Sequence, residues 1–340
     1  MTEEKVLLAH GDGGQLMADL VSRVFQAEFG EPLEGLDGQT LGDDCAVFYY
    51  GARFAFTTDS FVVSPLFFPG GDIGRLAVFG TVNDLATAGA MPVCLSASFI
   101  LEEGLAMDIV RKVAASMAEA CREANVPILT GDTKVVPRGQ ADQMFVTTTG
   151  VGAFLLPWPV TGDGARPGDI ILINGPIGDH GFAILSKREG MKLESDIVSD
   201  CAHLDDLVRT AFKASRKIHA MRDPTRGGLA TSLCDLAAQS KVCIEVDEDK
   251  IPVRESVRAG CELLGLDPLY LANEGKMIMI VDPEQADKIL NALKGHALGQ
   301  ESAVIGRVLD GPAGRAQVKS SAGTHRILQK YAGEPLPRIC

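Results

Sequence analysis

Leu76 to Leu101 reads LAVFGTVNDLATAGAMPVCLSASFIL, twenty-six residues with a single charge, Asp84. The small, apolar residues from Ile73 to Gly89 predict a long buried helix, and Val93–Leu101 predicts a strand. Gly89 and Pro92 separate the two, so the stretch is too mixed to span a membrane. A helix running straight into a strand points to a mixed α/β chain. A lone carboxylate in such a helix is costly unless it is paired or binds a metal ion, which makes Asp84 a candidate functional residue.

Upstream, Cys45–Tyr50 and Arg53–Thr58 read as strands joined by Gly51-Ala52, after a linker over Gly30–Gly42 and a helix carrying Leu16, Leu20, Val21 and Val24. Downstream, a helix is expected over Ala106–Ala124, with strands near Ile128 and over Met144–Phe154. Leu155-Leu156-Pro157-Trp158-Pro159 reads as a domain junction, because two prolines prevent regular structure. The second half repeats the style. Asp169–Asn174 and Lys276–Val281 read as strands. Leu204, Leu207, Val208, Ala211 and Phe212 fall on one helix face, and Leu229, Leu233, Leu236 and Ala237 mark another helix. Asp282-Pro283 opens a last helix, which Gly295 stops. The expected organisation is a loop and helix over 1–35, an N-terminal α/β domain over 36–154, a C-terminal α/β domain over 155–310 and a mobile tail over 311–340.

The chain has 340 residues, 46% of them hydrophobic, and a formal net charge of −13, which suits two globular domains. The surplus of acid argues against nucleic-acid and anionic-membrane partners. The charge is unevenly placed. Residues 311–340 hold Arg315, Lys319, Arg326, Lys330 and Arg338 against Glu334 alone, a net +4 that leaves −17 on the rest. Glu3 and Glu4 flank only a short apolar run, so no signal peptide is expected. The eight cysteines show no C-x-x-C spacing, and seven read as buried thiols of a cytoplasmic protein. Cys340 differs, being the final residue of the sequence.

Asp84 has company. Asp43-Asp44 precede a strand, Asp59 ends one, Asp132 follows one in Thr130-Gly131-Asp132-Thr133, and Asp223 opens Asp223-Pro224-Thr225-Arg226-Gly227-Gly228. Each alone reads as a turn former. Together, without histidine or thiol partners, they suit Mg²⁺, which prefers oxygen ligands and shares them with phosphates. Such a metal would reconcile an acidic body with a phosphate substrate. No G-x-x-x-x-G-K-[ST] is present, which disfavours a P-loop ATPase. Gly227-Gly228 opens a helix whose N-terminus could hold phosphate, or it serves close packing.

The strings Gly42-Asp43-Asp44-Cys45-Ala46, Thr81-Val82-Asn83-Asp84-Leu85-Ala86, Gly131-Asp132-Thr133-Lys134, Asp223 to Ala230 and Asn273-Glu274-Gly275 resemble the ATP-binding superfamily of aminoimidazole-ribotide synthetase, thiamine-monophosphate kinase and selenophosphate synthetase. His10-Gly11-Asp12-Gly13-Gly14 and the closing Pro337-Arg338-Ile339-Cys340 narrow the resemblance to the hydrogenase-maturation HypE family, over essentially the whole chain. Asp12 stands where serine is often seen.

The resemblance implies an α/β fold of α+β type, in which the N-terminal domains of a homodimer pair strands into a barrel. It implies that a HypF-type carbamoyltransferase loads the C-terminal thiol. ATP would then drive dehydration of the S-carboxamide to an S-thiocyanate, and the cyano group would pass to iron on a HypC–HypD complex, for [NiFe]-hydrogenase. Asp44, Asp59, Asp84, Asp132 and Asp223 would be metal or phosphate ligands, with Asn83, Arg226, Gly227 and Gly228 in the ATP site. Cys340, Lys134 and Glu274 would be catalytic. The chemistry needs a positive group for the transferring phosphoryl, a role for Arg226, and a base for the amide protons, a role for Glu274 or Lys134. A thiol on thirty terminal residues could reach about 100 Å, enough to visit a loading enzyme and an acceptor. Two other readings stay open: a sibling enzyme phosphorylating a free small molecule, and a thiol carrier without catalysis.

Overall fold

The computed structural model of the chain describes residues 15–20, 46–50, 52–188, 196–330 and 338–340. The expected helix face beyond Leu20, the Gly30–Gly42 linker, Asp12 and Asp44 lie outside the described residues. In chain order the N-terminal elements are α1 (Gln15–Leu20), β1 (Ala46–Tyr50), β2 (Ala52–Phe61), β3 (Phe67–Phe68), β4 (Gly71–Asp72), α2 (Ile73–Thr87), β5 (Ala90–Glu102), α3 (Met107–Glu123), β6 (Ile128–Val136) and β7 (Met144–Phe154). The C-terminal elements are β8 (Ile170–Ile173), α4 (Asp179–Arg188), α5 (Asp205–Ala214), β9 (Ile218–Arg222), α6 (Gly228–Ser240), β10 (Cys243–Asp247), α7 (Glu255–Leu264), β11 (Ile278–Val281), α8 (Ala286–Lys294), β12 (Ala303–Leu309), β13 (Arg315–Lys319) and β14 (His325–Ile327).

The stretch that decides the fold forms α2 and β5. Asp72 caps α2 by accepting from the N–H groups of Gly74 at 2.8 Å and Arg75 at 3.2 Å, which satisfies donors that the first helical turn leaves open. The helix is buried nearly all round. It lies on an open sheet ordered β1-β2-β7-β5-β6, with β5 and β6 parallel, and it also touches α5 and β9 of the second domain.

Strand parity divides this sheet into two faces. Phe61, Val146, Phe99 and Thr133 share a row, as do Asp59, Thr148, Ala97 and Gly131. Phe61, Val146, Thr148 and Ala97 are buried, so these rows face the helices. The alternate rows, Ser60-Thr147-Ser98-Asp132 and Phe145-Ile100-Lys134, lie on the opposite face, where Ser60 and Thr147 hydroxyls meet at 2.8 Å.

The C-terminal sheet runs β14-β13-β10-β12-β8-β11-β9. One face packs Ile171, Ile173, Ile244 and Ile280 under Leu229, Leu233 and Leu236 of α6. The other packs Leu172, Met279 and Val281 under Leu207 and Val208 of α5 and Ile289 and Leu293 of α8. Among the described residues no helix is long and apolar enough to cross a membrane.

The tail expected from residue 311 begins later. β13 pairs in parallel with β10, and β14 adds to its edge. Ala316, Val318 and Leu328 are buried in the C-terminal core. Arg315-Ala316-Gln317-Val318-Lys319 alternates as a half-buried strand does, so residues 311–328 belong to the second domain. Two other boundaries shift. Asp132 lies within β6 rather than after a strand, and α8 starts at Ala286 because Asp282 turns the chain by accepting from Glu284 N–H at 2.9 Å.

Candidate active site

The last three residues run alongside the segment that follows β2. Val62 N–H donates to the Cys340 carbonyl at 3.1 Å, and Ser64 N–H donates to the Arg338 carbonyl at 3.2 Å. The Arg338 guanidinium returns a bond to the Val62 carbonyl at 2.8 Å and pairs with Asp142 at 2.5 Å. Arg188 binds the carbonyls of both Ser64 and Arg338. Ile339 is buried in the N-terminal core, and Cys340 packs against the same cluster. Val62 directly follows β2, so the end of the chain sits beside the strand that carries Asp59.

Two loops of the second domain close on this end. One, from Asp223 to Gly228, joins β9 to α6. The other is Asn273-Glu274-Gly275, which precedes β11. Asn273 ties them together, its side-chain amide donating to the Pro224 carbonyl at 2.8 Å and its oxygen accepting from Gly178 N–H at 2.7 Å. Asp200 holds the second loop in place, accepting from Glu274 N–H at 3.0 Å and from Lys276 Nζ at 2.9 Å.

The electrostatics show which groups converge. Burial pushes the Cys340 thiol well above the ordinary range against the pull of Arg226, and Glu274, Asp59 and Asp223 add to the rise. Cys340, followed by Asp59, Glu274 and Asp84, holds the Arg226 guanidinium above its usual value against desolvation. Glu274 is only 3% exposed, and its Oε1 has no hydrogen-bond partner. Burial, with Asp223, Asp200 and Asp59 nearby, raises its carboxyl well above the usual range, and Arg226 offsets part of that. Asp84 accepts from Thr57 Oγ1 at 2.9 Å, and Asp59 accepts from its neighbour Ser60 N–H at 2.8 Å. Cys340, Arg226, Glu274, Asp223, Asp59 and Asp84 therefore share one site at the junction of the domains.

Asp132 and Lys134 are not among them. They pair with each other at 2.7 Å, both largely exposed, on the edge strand β6. They lie on the opposite sheet face from Asp59, and Lys134 on β6 is three strands from β2, about 14 Å at ordinary strand spacing. The parity of β6, which residue type alone does not reveal, separates them within one chain.

Asn83 also departs from expectation. Its amide donates to the carbonyls of Ala202 at 3.0 Å and Glu274 at 3.3 Å, and its oxygen accepts from Leu204 N–H at 2.8 Å. With the whole side chain engaged by backbone, Asn83 clamps the second domain onto α2 rather than facing a nucleotide. Gly227 and Gly228 both have positive φ, and a Cβ at Gly228 would come within 2.6 Å of the Leu269 and Leu271 carbonyls. The pair thus serves close packing, and it also starts α6 beside Arg226.

Among the described residues no three His, Cys, Asp or Glu side chains gather closely enough to hold a metal ion. The four described aspartates among the five expected, Asp59, Asp84, Asp132 and Asp223, do not form a protein-only cage. Mg²⁺ keeps waters and substrate oxygens and needs only one or two carboxylates. Asp59 and Asp84, hard oxygen donors on adjoining β2 and α2, fit that lesser requirement.

The sequence reading missed His180, Arg188 and Asp200. His180 Nε2 meets the Ile339 carbonyl at 2.8 Å. Nothing in the spacing of Gly178-Asp179-His180-Gly181 links it to a residue 159 positions away.

The AIR synthase related protein N-terminal domain matches residues 42–154, and its C-terminal domain matches residues 166–319. The chain is 49% identical over 338 residues to the carbamoyl dehydratase HypE of Rhizobium leguminosarum bv. viciae, covering 99% of this chain and 95% of that one. The crystal structure of a hydrogenase maturation protein HypE in complex with ATP superposes with a TM-score of 0.82 at 49% identity, over 99% of this chain and 100% of that one. A HypE–HypF complex structure superposes at 0.86 and 43% identity, over 92% and 99% of the two chains.

Proposed function

The chain belongs to the carbamoyl dehydratase HypE family, and from that premise we propose that it uses ATP to dehydrate a carbamoyl group carried on its own Cys340. The observation that carries the proposal is the seating of Cys340 among Arg226, Glu274, Asp59 and Asp223. A site that penalises a thiolate suits a neutral S-carboxamide, which loses little on leaving water. The free thiol docked there is protonated and inert, so loading takes place with the terminus extended to a HypF-type carbamoyltransferase.

The carboxamide oxygen attacks the γ-phosphorus of ATP and ADP leaves. An N–H proton is lost, giving S–C(OPO₃)=NH. The remaining N–H proton then departs as the C–O bond breaks, leaving S–C≡N and inorganic phosphate. Arg226 lies where negative charge develops on the transferring phosphoryl. Glu274, in its ionised form, takes the first amide proton, and the departing phosphate oxygen accepts the second as the C–O bond breaks. The buried, acid-flanked setting of Glu274 raises its proton affinity, as a general base requires. Asp59 and Asp84, with Asp223 beside them, would hold a Mg²⁺ bound with the nucleotide, which would neutralise charge on the phosphates. The thiocyanate then passes its cyano group to iron on a HypC–HypD complex in the cytoplasm.

Lys134 enters this scheme from a second copy. β6 is an edge strand with Ile128, Leu129 and Val135 exposed, and such an edge invites pairing. Two open sheets joined at their edges would close the expected barrel and make the active unit a homodimer.

Intact-protein mass spectrometry of carbamoylated protein, with and without Mg-ATP, tests the reading. Loss of one water confined to the C-terminal peptide is expected, and no such loss in a Cys340→Ala chain. ATP turnover indifferent to Cys340, or a loaded thiol unchanged by Mg-ATP, would sink it.

A further inference from the structure

Cys340 can react only if its sulfur is held in register with Arg226 and Glu274, and one buried side chain fixes that register. His180 is fully buried, with Nδ1 2.8 Å from Ser199 Oγ and Nε2 2.8 Å from the Ile339 carbonyl. A carbonyl only accepts, so Nε2 carries the proton and Nδ1 accepts from the Ser199 hydroxyl. Ser199 Oγ in turn accepts from Cys201 N–H at 3.1 Å. The chain Cys201 N–H to Ser199 to His180 to Ile339 therefore runs in one direction with one imidazole tautomer. Ser199 is itself fixed, because its N–H donates to the Pro69 carbonyl at 2.8 Å. The Phe68 ring stands edge-on to the imidazole at 5.5 Å and walls it in.

The other contacts to the terminus are of different kinds. Val62 and Ser64 bond through backbone, Arg338 and Asp142 pair where both remain partly exposed, and the charged, half-buried Arg188 side chain donates to the Ser64 and Arg338 carbonyls together. None of these is a fully buried, neutral donor aimed at a single carbonyl, and a one-residue slip would leave the enclosed Nε2–H without an acceptor.

We propose that His180, with its tautomer set by Ser199, is the latch that registers the C-terminal end for dehydration. It acts as a positioning residue and does not touch the reacting atoms. This rests on reading Cys340 as the loaded thiol.

The test uses the full chain in four forms: wild type, His180→Leu, His180→Gln and Ser199→Ala. The first readout needs no activity. It is the rate of iodoacetamide alkylation of Cys340, read on the C-terminal peptide. Loss of one such hydrogen bond should raise that rate about fivefold in His180→Leu and Ser199→Ala. His180→Gln retains an N–H donor and should stay near wild type. The second readout is single-turnover water loss, normalised to the loaded fraction, which should fall in the same order. Ser199→Ala removes one oxygen and keeps the test decisive if His180→Leu does not fold. Wild-type alkylation rates in folded His180→Leu or Ser199→Ala would overturn the latch. The expected alkylation pattern in a wild-type chain that never loses water would support the latch and overturn the proposed function instead.

Discussion

Replacing Glu274 by glutamine should raise stability at high pH while slowing dehydration, and the structure sets both the sign and the scale. Glu274 is 3% exposed, has an unpartnered Oε1, and lies near Asp223, Asp200 and Asp59. Burial and these neighbours raise its folded-state pKa well above 4.5, the ordinary value that the unfolded chain retains. Between those two values the native state holds a proton that the unfolded chain has lost. Wild-type stability is therefore greatest below about pH 4.5 on this account, and it falls as pH rises towards the folded-state pKa. The slope is at most about 1.4 kcal/mol per pH unit for one proton. Glutamine cannot ionise, so this slope disappears in the variant. Any penalty for burying its amide is the same at every pH and shifts only the offset. Urea denaturation of both chains from about pH 5.5 to about pH 7.5 should show their difference changing in favour of the variant by up to about 2.7 kcal/mol. The same variant should accept the carbamoyl group and lose water slowly, with a rate no longer rising with pH, because the missing base is the group whose ionisation the wild type awaits. A stability difference flat across that range would refute the claim that Glu274 is buried at the expense of its charge.

Asn83→Ala should destabilise the chain by about 3 kcal/mol, since it strips partners from buried backbone groups of Ala202, Leu204 and Glu274; chemical denaturation reads this directly, and a loss below about 0.5 kcal/mol would deny the clamp. Gly228→Ala should cost about 2–4 kcal/mol, because a Cβ there meets two carbonyls at 2.6 Å on a backbone with φ +62°; a wild-type melting curve would contradict the close packing. Mixing Lys134→Ala chains with Cys340→Ala chains should restore thiocyanate on the Lys134→Ala chain if lysine acts between copies, and mass spectrometry showing none would confine Lys134 to its own chain or to no role. Raising salt from about 0.05 to about 1 M should change Cys340 alkylation by less than about fivefold, because the partly exposed Arg338–Asp142 pair contributes only about 1 kcal/mol; a much larger change would make charge the main holdfast.

The elements most legible in the sequence were those with a long, unmixed signal. β7 covers Met144–Phe154 as read, and α2 and α3 fall within two residues of expectation, because buried periodicity continues across their whole length. β13 was hidden because its outward residues Arg315, Gln317 and Lys319 give the segment the look of a charged tail, while its inward pair is only Ala316 and Val318. The candidate site was legible as a set of residue types but not as a place. Asp59 and Asp132 sit in similar Thr-rich strings, yet one falls in a helix-facing row and the other in the opposite row. That parity is fixed by the register of β5 against β6 and β7, a long-range pairing that local composition does not encode. Asn83 was misread for a related reason. A polar residue in an apolar helix signals an obligatory partner, and whether that partner is a ligand or a neighbouring backbone depends on what the second domain brings.

The uneven charge acquires a more exact meaning from the same structure. Beyond β14, Lys330 pairs with Asp235 and Arg338 with Asp142, so the basic end is drawn to the acidic body. These pairs lie at partly exposed positions, where attraction is weak and tolerant of geometry. Attraction of that kind brings the end to the right region but cannot choose between registers one residue apart. The choice falls to directional and packed contacts: Ile339 in the N-terminal core, its carbonyl on His180, the Arg338 carbonyl on Arg188, and the backbone bonds from Val62 and Ser64. The division would suit the proposed loading cycle, in which the terminus leaves and returns. Weak charge pairs release it without a large barrier and recapture it over a distance, and the directional contacts act only once it is home. Under the proposed function, contacts of these two strengths would hold Cys340 beside Glu274 and Arg226 and still let it leave for loading.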